Sequence, residues 1–199
     1  MKAKAFLIAL LAACFAMEGC ATQSKNPETW HVGVGAPEHY DVIVEKFKLI
    51  SSEGYSQDFS AGNVGCCWKG SKGPRGKGGP ASRIPRYVGV QWYSLAEGKA
   101  YKKAFPMPED LKSQMQEEAK YITSKGEFSG PRDILTIGLA PGGTIVVWIQ
   151  NQIGNEIEVA RMQANEIEGD PDDYRAATKR YLEANGDYLK KHGVSTTGW

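Results

Sequence analysis

Residues 132–150, "RDILTIGLAPGGTIVVWIQ", constrain the fold more than any other part of the chain. Two runs of branched and aromatic residues, 134–139 and 144–149, flank Pro141, Gly142 and Gly143. That pattern predicts two antiparallel strands joined by a tight turn. A lone two-stranded ribbon is marginal in water, so the rest of the chain must supply strands or helices that cover it. Residues 30–35 and 40–50 both read as strands, joined across Ala36, Pro37 and Glu38. In the second, Ile43, Phe47 and Leu49 share one parity and Lys46 and Lys48 the other, the period-two mark of a half-buried strand. Residues 59–68 read as a returning strand, and residues 86–95 and 99–107 as a hairpin turning at Ala96, Glu97 and Gly98. Residues 156–167 alternate again, with Ile157, Val159 and Arg161 opposite in parity to Glu156 and Glu158.

The period changes twice. Leu111, Met115, Ala119 and Ile122 form a stripe at steps of four and three after Pro108, Glu109 and Asp110, which predicts a helix over residues 108–122. Asp170, Pro171, Asp172 and Asp173 offer a cap, a first-turn proline and first-turn acids to a closing helix. That helix carries Tyr174, Ala177, Tyr181 and Tyr188, is expected to loosen at Asn185 and Gly186, and ends near His192 and Gly193. Residues 69–86 hold too many glycines and prolines for regular structure to be expected there. These elements amount to about six or seven strands. The fold class is therefore α+β: mainly antiparallel β-sheet or sandwich, with one internal helix and one C-terminal helix.

The N-terminus sets the compartment. Lys2 and Lys4 precede an apolar run over residues 5–13 that is too short to span a bilayer, the pattern of a secretory signal. Cys14 and Cys20 each follow a small residue, as a lipoprotein signal requires. Cys20 is the expected lipidated residue, because residues 21–29 read as a polar tether; Cys14, or an ordinary signal cut after Ala21, are the alternatives. The organisation is then a lipoprotein signal peptide at 1–19, a tether at 20–29 and a single β-rich domain at 30–199, the last of a size to bury one core. Ala21 beside Cys20 points to the outer membrane, facing the periplasm, with the membrane reached through the N-terminal lipid anchor.

Beyond Cys20 only Cys66 and Cys67 remain. In an oxidising envelope adjacent thiols leave three readings open: a vicinal disulfide, two buried thiols on opposite faces of a strand, or a bond between chains. No Cys-x-x-Cys spacing favours redox catalysis. His31, His39 and His192 are scattered and resemble no zinc set, so no metal or cofactor is expected. Ser94 lies inside a strand pattern rather than on an exposed elbow, and residues 138–144 join two strands rather than opening a helix, which excludes a phosphate loop. No catalytic residue is assigned, and the chain is read as a binding protein rather than an enzyme.

Charge is segregated although the formal net charge is only +1, which offers no global field for nucleic acid. Lys69, Lys72, Arg75, Lys77, Arg83 and Arg86 follow Trp68 with no acid among them. Residues 156–173 hold seven acids, Glu156, Glu158, Glu166, Glu168, Asp170, Asp172 and Asp173, against Arg161 alone. Arg and Trp are enriched at binding hot spots, so Trp68 and those six basic residues are the candidate partner-binding set.

Two words then resemble a known family. Trp92, Ser94, Leu95 and Glu97 make a Trp-x-Ser-Leu-x-Glu strand, and Leu139 to Gly143 a later Leu-Ala-Pro-Gly-Gly turn. Together with "EIEVARMQANE" and the terminal "YLKKHGV…GW", they are similar to the Gram-negative lipoprotein family called domain of unknown function 2931, from about residue 30 to 199. The resemblance implies a periplasm-facing lipoprotein with no enzymatic residues to carry over. Similar lipoproteins are often encoded beside toxic effectors of type VI secretion, lipases included, and act as immunity proteins. The expected function is therefore to bind and neutralise a secreted effector such as a phospholipase; the alternative is an envelope-maintenance lipoprotein contacting lipid or cell wall.

Overall fold

The computed structural model describes residues 30–66, 68 and 77–199. The signal, the tether with Cys20, and Cys67, Lys69, Lys72 and Arg75 lie outside the described residues. The described strands are β1 (Trp30–Gly35), β2 (Val42–Ser51), β3 (Ser56–Phe59), β4 (Gly62–Val64), β5 (Lys77–Ala81), β6 (Pro85–Ser94), β7 (Lys99–Pro106), β8 (Glu118–Thr123), β9 (Gly126–Pro131), β10 (Ile134–Ala140), β11 (Thr144–Gln150), β12 (Ile157–Gln163) and β13 (Asn165–Ile167). Helix α1 spans Leu111–Gln116 and α2 spans Arg175–His192.

The strands form a five-stranded sheet in the order β12-β11-β10-β1-β5 and a six-stranded sheet in the order β13-β7-β6-β2-β3, where β4 also pairs with β2. A separate ribbon joins β8 to β9. One core cluster takes Trp30, Val32, Leu135, Ile137 and Val147 from the first sheet and Phe47, Val88, Trp92 and Phe105 from the second, so the two sheets close on each other as a sandwich. Each such large side chain contributes roughly 1.5–3 kcal/mol on burial. Leu111 and Met115 of α1 join the same core.

Among the described strands every sheet pairing but one is antiparallel. Strand β1 runs parallel to β10, which the intervening chain permits because it travels through β2, β3, β4, β6 and β7 of the second sheet before returning. The two strands joined across Ala36, Pro37 and Glu38 therefore do not pair with each other; β1 belongs to the first sheet and β2 to the second. The corner between them is tight, with Tyr40 N donating to Pro37 O at 3.0 Å and His39 at φ +71°.

Several sequence expectations change at particular residues. The parity of β2 slips at a bulge between Val44 and Lys46, so Val42 and Val44 face the core with Phe47 and Leu49, while Ile43 turns to the opposite face. The glycine-rich segment expected to lack regular structure contains edge strand β5, whose backbone pairs with β1 despite Gly78, Gly79 and Pro80. Its close approach needs glycine, since a Cβ on Gly78 would sit 1.9 Å from Val32 O. The internal helix stops at Gln116, because Glu117 adopts extended backbone; Ala119 and Ile122 lie on β8 instead. The closing helix runs unbroken through Asn185 and Gly186, after a 3-10 turn at Pro171–Tyr174 capped by Asp170, which accepts from Asp172 N.

Helix α2 lies on the outer face of the six-stranded sheet at one end. Tyr181 packs there with Tyr93, Leu95 and Ala100 in a second cluster that also takes Ile43, Ile167, Tyr174, Ala177 and Leu189. Among the described residues no helix is long and apolar enough to cross a membrane.

Candidate functional site

The described members of the basic set do not form one patch of free charge. Arg83 pairs with Glu53 at 3.5 Å and lies over the Tyr55 ring at 4.9 Å from its centroid. Arg86 pairs with Glu109 at 3.0 Å and reaches Met107 O at 3.5 Å. Trp68 is half-buried: its ring meets Trp148 edge-on at 5.0 Å and Trp199 at 5.9 Å, and Trp199 in turn meets Tyr40 at 5.1 Å. Trp199 is thus packed between Trp68 and Tyr40, and Gly138 makes room for the Trp68–Trp148 pair, since a Cβ there would lie within 3 Å of both rings. Lys77 opens instead into a polar cavity of about 510 Å³ lined also by Glu38, His39, Asp41, Asn63, Cys66 and Asn185. Cys66 is disulfide-bonded. Pairing with Cys67 in particular falls outside the described residues.

His39, which sequence reasoning left as a loop residue, is the hinge pin of this cavity. Its ring stacks on Tyr188 at 3.8 Å, its Nδ1 shares a hydrogen bond with Asn185 Oδ1 at 2.9 Å, and its carbonyl accepts from the Tyr181 hydroxyl. Histidine tolerates the left-handed region better than most residues, and these three contacts hold it there. Beside it, half-buried Asp41 has its carboxyl pushed above the usual range by burial, which the neighbouring His39 only partly offsets. Among the described residues no group of three metal-ligating side chains converges.

The two words that carry the resemblance meet in space. Glu97 Oε1 accepts from Gly142 N at 2.9 Å and from the Tyr101 hydroxyl at 2.9 Å, joining the β6–β7 hairpin of one sheet to the Pro141–Gly143 turn of the other. Ala164 N donates to Gly143 O at 2.8 Å, and Gln163 Nε2 donates to Gly142 O. Gly142 holds φ +75°, where a non-glycine residue is strained, and a Cβ on it would meet Thr196 O at 2.5 Å. Burial and then the Glu97 carboxylate drive the Tyr101 phenol well above its ordinary range. Trp92 and Leu95 lie in the buried clusters and Ser94 is buried at 1% exposure. This arrangement is a clamp between sheets, and within the same word the buried Trp92 Nε1 and Ser94 Oγ have no hydrogen-bond partner among the described residues.

The feature that sequence reasoning missed altogether is the β8–β9 ribbon. Neither strand joins either sheet, and three amides stand in for the absent third strand. Gln152 takes the Ile122 N–H on its Oε1 at 2.9 Å and donates its Nε2 to Ile122 O at 2.8 Å. Asn155 donates to Lys120 O at 2.8 Å, and Asn151 donates to Ala119 O and Gly130 O at 3.0 and 2.9 Å. Tyr121 stacks on Phe128 across the ribbon at 5.8 Å, and Lys120 pairs with Glu127 at 2.7 Å. The ribbon nevertheless leaves Ile122 65% exposed and Phe128 43% exposed, with Ile153 of the supporting turn at 37%. Phe128 lies directly across from Tyr121 and Ile122 across from Glu127, so the two apolar side chains stand on opposite faces and the held ribbon offers one to each side.

A search of curated proteins and a search of solved structures each return no match. A family model described as "Protein of unknown function (DUF2931)" matches residues 19–196, and its span takes in both sheets, the Glu97 clamp, the ribbon and α2. The chain therefore belongs to the DUF2931 family.

Proposed function

We propose that this chain is a lipid-anchored, periplasm-facing immunity protein that binds and neutralises a toxic effector of type VI secretion, a phospholipase being the effector class in view. The observation that carries the binding reading is the β8–β9 ribbon. Its backbone is fixed by Asn151, Gln152 and Asn155, while Ile122 and Phe128 are left to water. Apolar and aromatic side chains on a rigid support lose little entropy on docking, which is what an inhibitor that occupies a cleft requires. Lipidation at Cys20 would hold the ribbon in the compartment where such an effector acts. The basic residues Lys69, Lys72, Arg75 and Lys77 add a charged element that would steer an acidic partner.

The test has two stages. Tagged full-length protein is captured from membranes of its own cells, and bait and partners are identified by mass spectrometry, which also reads the N-terminal lipid. The affinity of the purified effector is then measured for wild type, for Ile122→Asp with Phe128→Asp, and for the four basic residues changed together to Ala. Loss of two hot-spot side chains costs on the order of 2 kcal/mol or more, roughly thirtyfold in Kd. A stoichiometric secreted effector whose affinity falls by that factor supports the reading. Recovery of bait with abundant envelope components alone moves the weight to an envelope-maintenance lipoprotein.

A further inference from the structure

Helix α2 and its 3-10 turn cover only one end of the six-stranded sheet's outer face. Beyond Tyr174 that face opens into a trough of about 500 Å³ across β3, β2, β6 and β7. Two successive rows of the sheet line it, and a third lies one step beyond its end. In the first, Lys46, Gln91 and Lys102 lie side by side on three strands. In the second, Lys48, Gly89 and Ala104 lie side by side, with Asp58 next to Lys48. In the third stand Ile50, Tyr87 and Pro106, where Tyr87 is 46% exposed. Along β6 the surface thus runs from Gln91 between two lysines, across Gly89 with Ala104 on one side and the Lys48–Asp58 pair on the other, to the exposed ring of Tyr87. The step from Gln91 to Tyr87 covers about 13 Å at the rise of a strand.

The charges at the first row are uncommitted where it matters. Glu45, at the rim, receives hydrogen bonds from Gln91 at 2.5 Å and from Tyr174, and Asp58 pairs with Lys48 at 3.4 Å. Lys46 and Lys102 have no acidic partner among the described residues, and they flank Gln91 from either side at roughly 10 Å between backbones. The middle row points the same way by a different route. A Cβ on Gly89 would meet nothing within 4 Å, so nothing inside the fold requires glycine at the centre of this strand. Glycine in a strand interior weakens it, and it is used at bulges, at tight bends and where a ligand approaches the backbone closely.

We infer that this trough binds a single-chain anionic amphiphile of the fatty-acid type, its carboxylate between Lys46 and Lys102 and its chain along Gly89 and Ala104 towards Tyr87. The volume lies in the range of small-molecule sites, and a long-chain carboxylate matches the sequence of free lysines, small residues at Gly89 and Ala104, and an apolar row just past the trough. This inference is independent of the effector reading, because its test contains no effector.

Purified full-length protein is irradiated with a diazirine-bearing decanoate, and the labelled residues are located by mass spectrometry, with decanoate and decanol as competitors. The variants are Lys46→Ala with Lys102→Ala, which removes the head-group charges, and Gly89→Leu, which fills the floor where the structure leaves space. Circular dichroism melts check that both remain folded. The expected result is labelling on β6 and β7 within residues 87–91 and 102–106. Decanoate but not decanol should compete it away, and each variant should reduce it at least tenfold. Labelling elsewhere on the chain, competition by decanol equal to that of decanoate, or undiminished labelling in the folded variants each overturns the inference.

Discussion

Replacing Glu97 by Ala removes the one group that bonds both halves of the clamp, leaving Gly142 N–H and the Tyr101 hydroxyl without the acceptor they share at 2.9 Å. Hydrogen bonds to an ionised group contribute about 1.5–3 kcal/mol each, so the loss is about 3 kcal/mol or more. In a domain of this size each kcal/mol lowers Tm by about 2–4 °C, which puts the expected fall at about 6–12 °C. Urea unfolding gives the same quantity at 25 °C from the midpoint, provided the slope is unchanged. Tyr101→Phe keeps the ring against Trp92, 5.4 Å away, and removes only the hydroxyl, for about 1.5 kcal/mol. Because the two side chains bond each other, the double variant should fall short of the sum by about 1.5 kcal/mol. A Glu97→Ala variant within 1 kcal/mol of wild type, or a coupling below 0.5 kcal/mol, would refute the assignment of this family word to a clamp between sheets.

The other expectations are briefer. Gly78→Ala drives a Cβ into Val32 O and should cost about 1–3 kcal/mol, as overpacking does. Gly89→Ala meets open space and should gain about 0.5–1 kcal/mol, so opposite shifts in urea midpoint check both environments. Burial raises the Asp41 carboxyl, so the folded state keeps its proton to higher pH than the unfolded chain; stability falls as pH rises from the ordinary carboxylate range through the folded value. Asp41→Asn should flatten that fall and raise Tm at pH 7, read by melting across pH 3.5–8 against wild type. Ile122→Asp with Phe128→Asp loses the Tyr121–Phe128 stack and sets an acid opposite Glu127, so Tm should fall by a few degrees while effector affinity falls about thirtyfold.

What the sequence made legible was the alternation of strands that stay regular. The β10–β11 hairpin and the β6–β7 hairpin lie where their branched residues and turns put them, and Asp170 caps the 3-10 turn that leads into the closing helix. Tertiary contacts decided the rest. The stripe Leu111, Met115, Ala119 and Ile122 has helical spacing, yet only Leu111 and Met115 sit on a helix. Arg132 N bonds Met115 O at 2.8 Å where the ribbon returns to the end of α1. Ala119 reaches burial from a strand, while Ile122 ends up in water, so the same four apolar residues serve two kinds of backbone. Strand β5 was illegible for the opposite reason. Its side chains carry no pattern, and what makes it a strand is the β1 backbone beside it, which only glycine lets it approach.

The surfaces show a similar asymmetry between charge that can be counted and charge that can act. Arg83 and Arg86 belong to the most basic stretch of the sequence, but the fold gives each an acid, Glu53 and Glu109, that lies at least 20 residues away in the chain. Lys46 and Lys102 looked like ordinary outward positions on two strands and gain meaning only when β6 brings them to either side of Gln91. The ribbon escaped notice because its support is not an apolar pattern at all: three amides 30 residues downstream replace a strand, and no local periodicity announces them. The two surfaces therefore rest on different parts of the fold, the ribbon on the turn after β11 and the trough on the six-stranded sheet. Substitutions at Ile122 and Phe128 should leave amphiphile labelling intact, and substitutions at Lys46 and Lys102 should leave effector affinity intact. A variant at either surface that abolished both activities would mean that a single interface spans them, with the sandwich between them transmitting or sharing the contact.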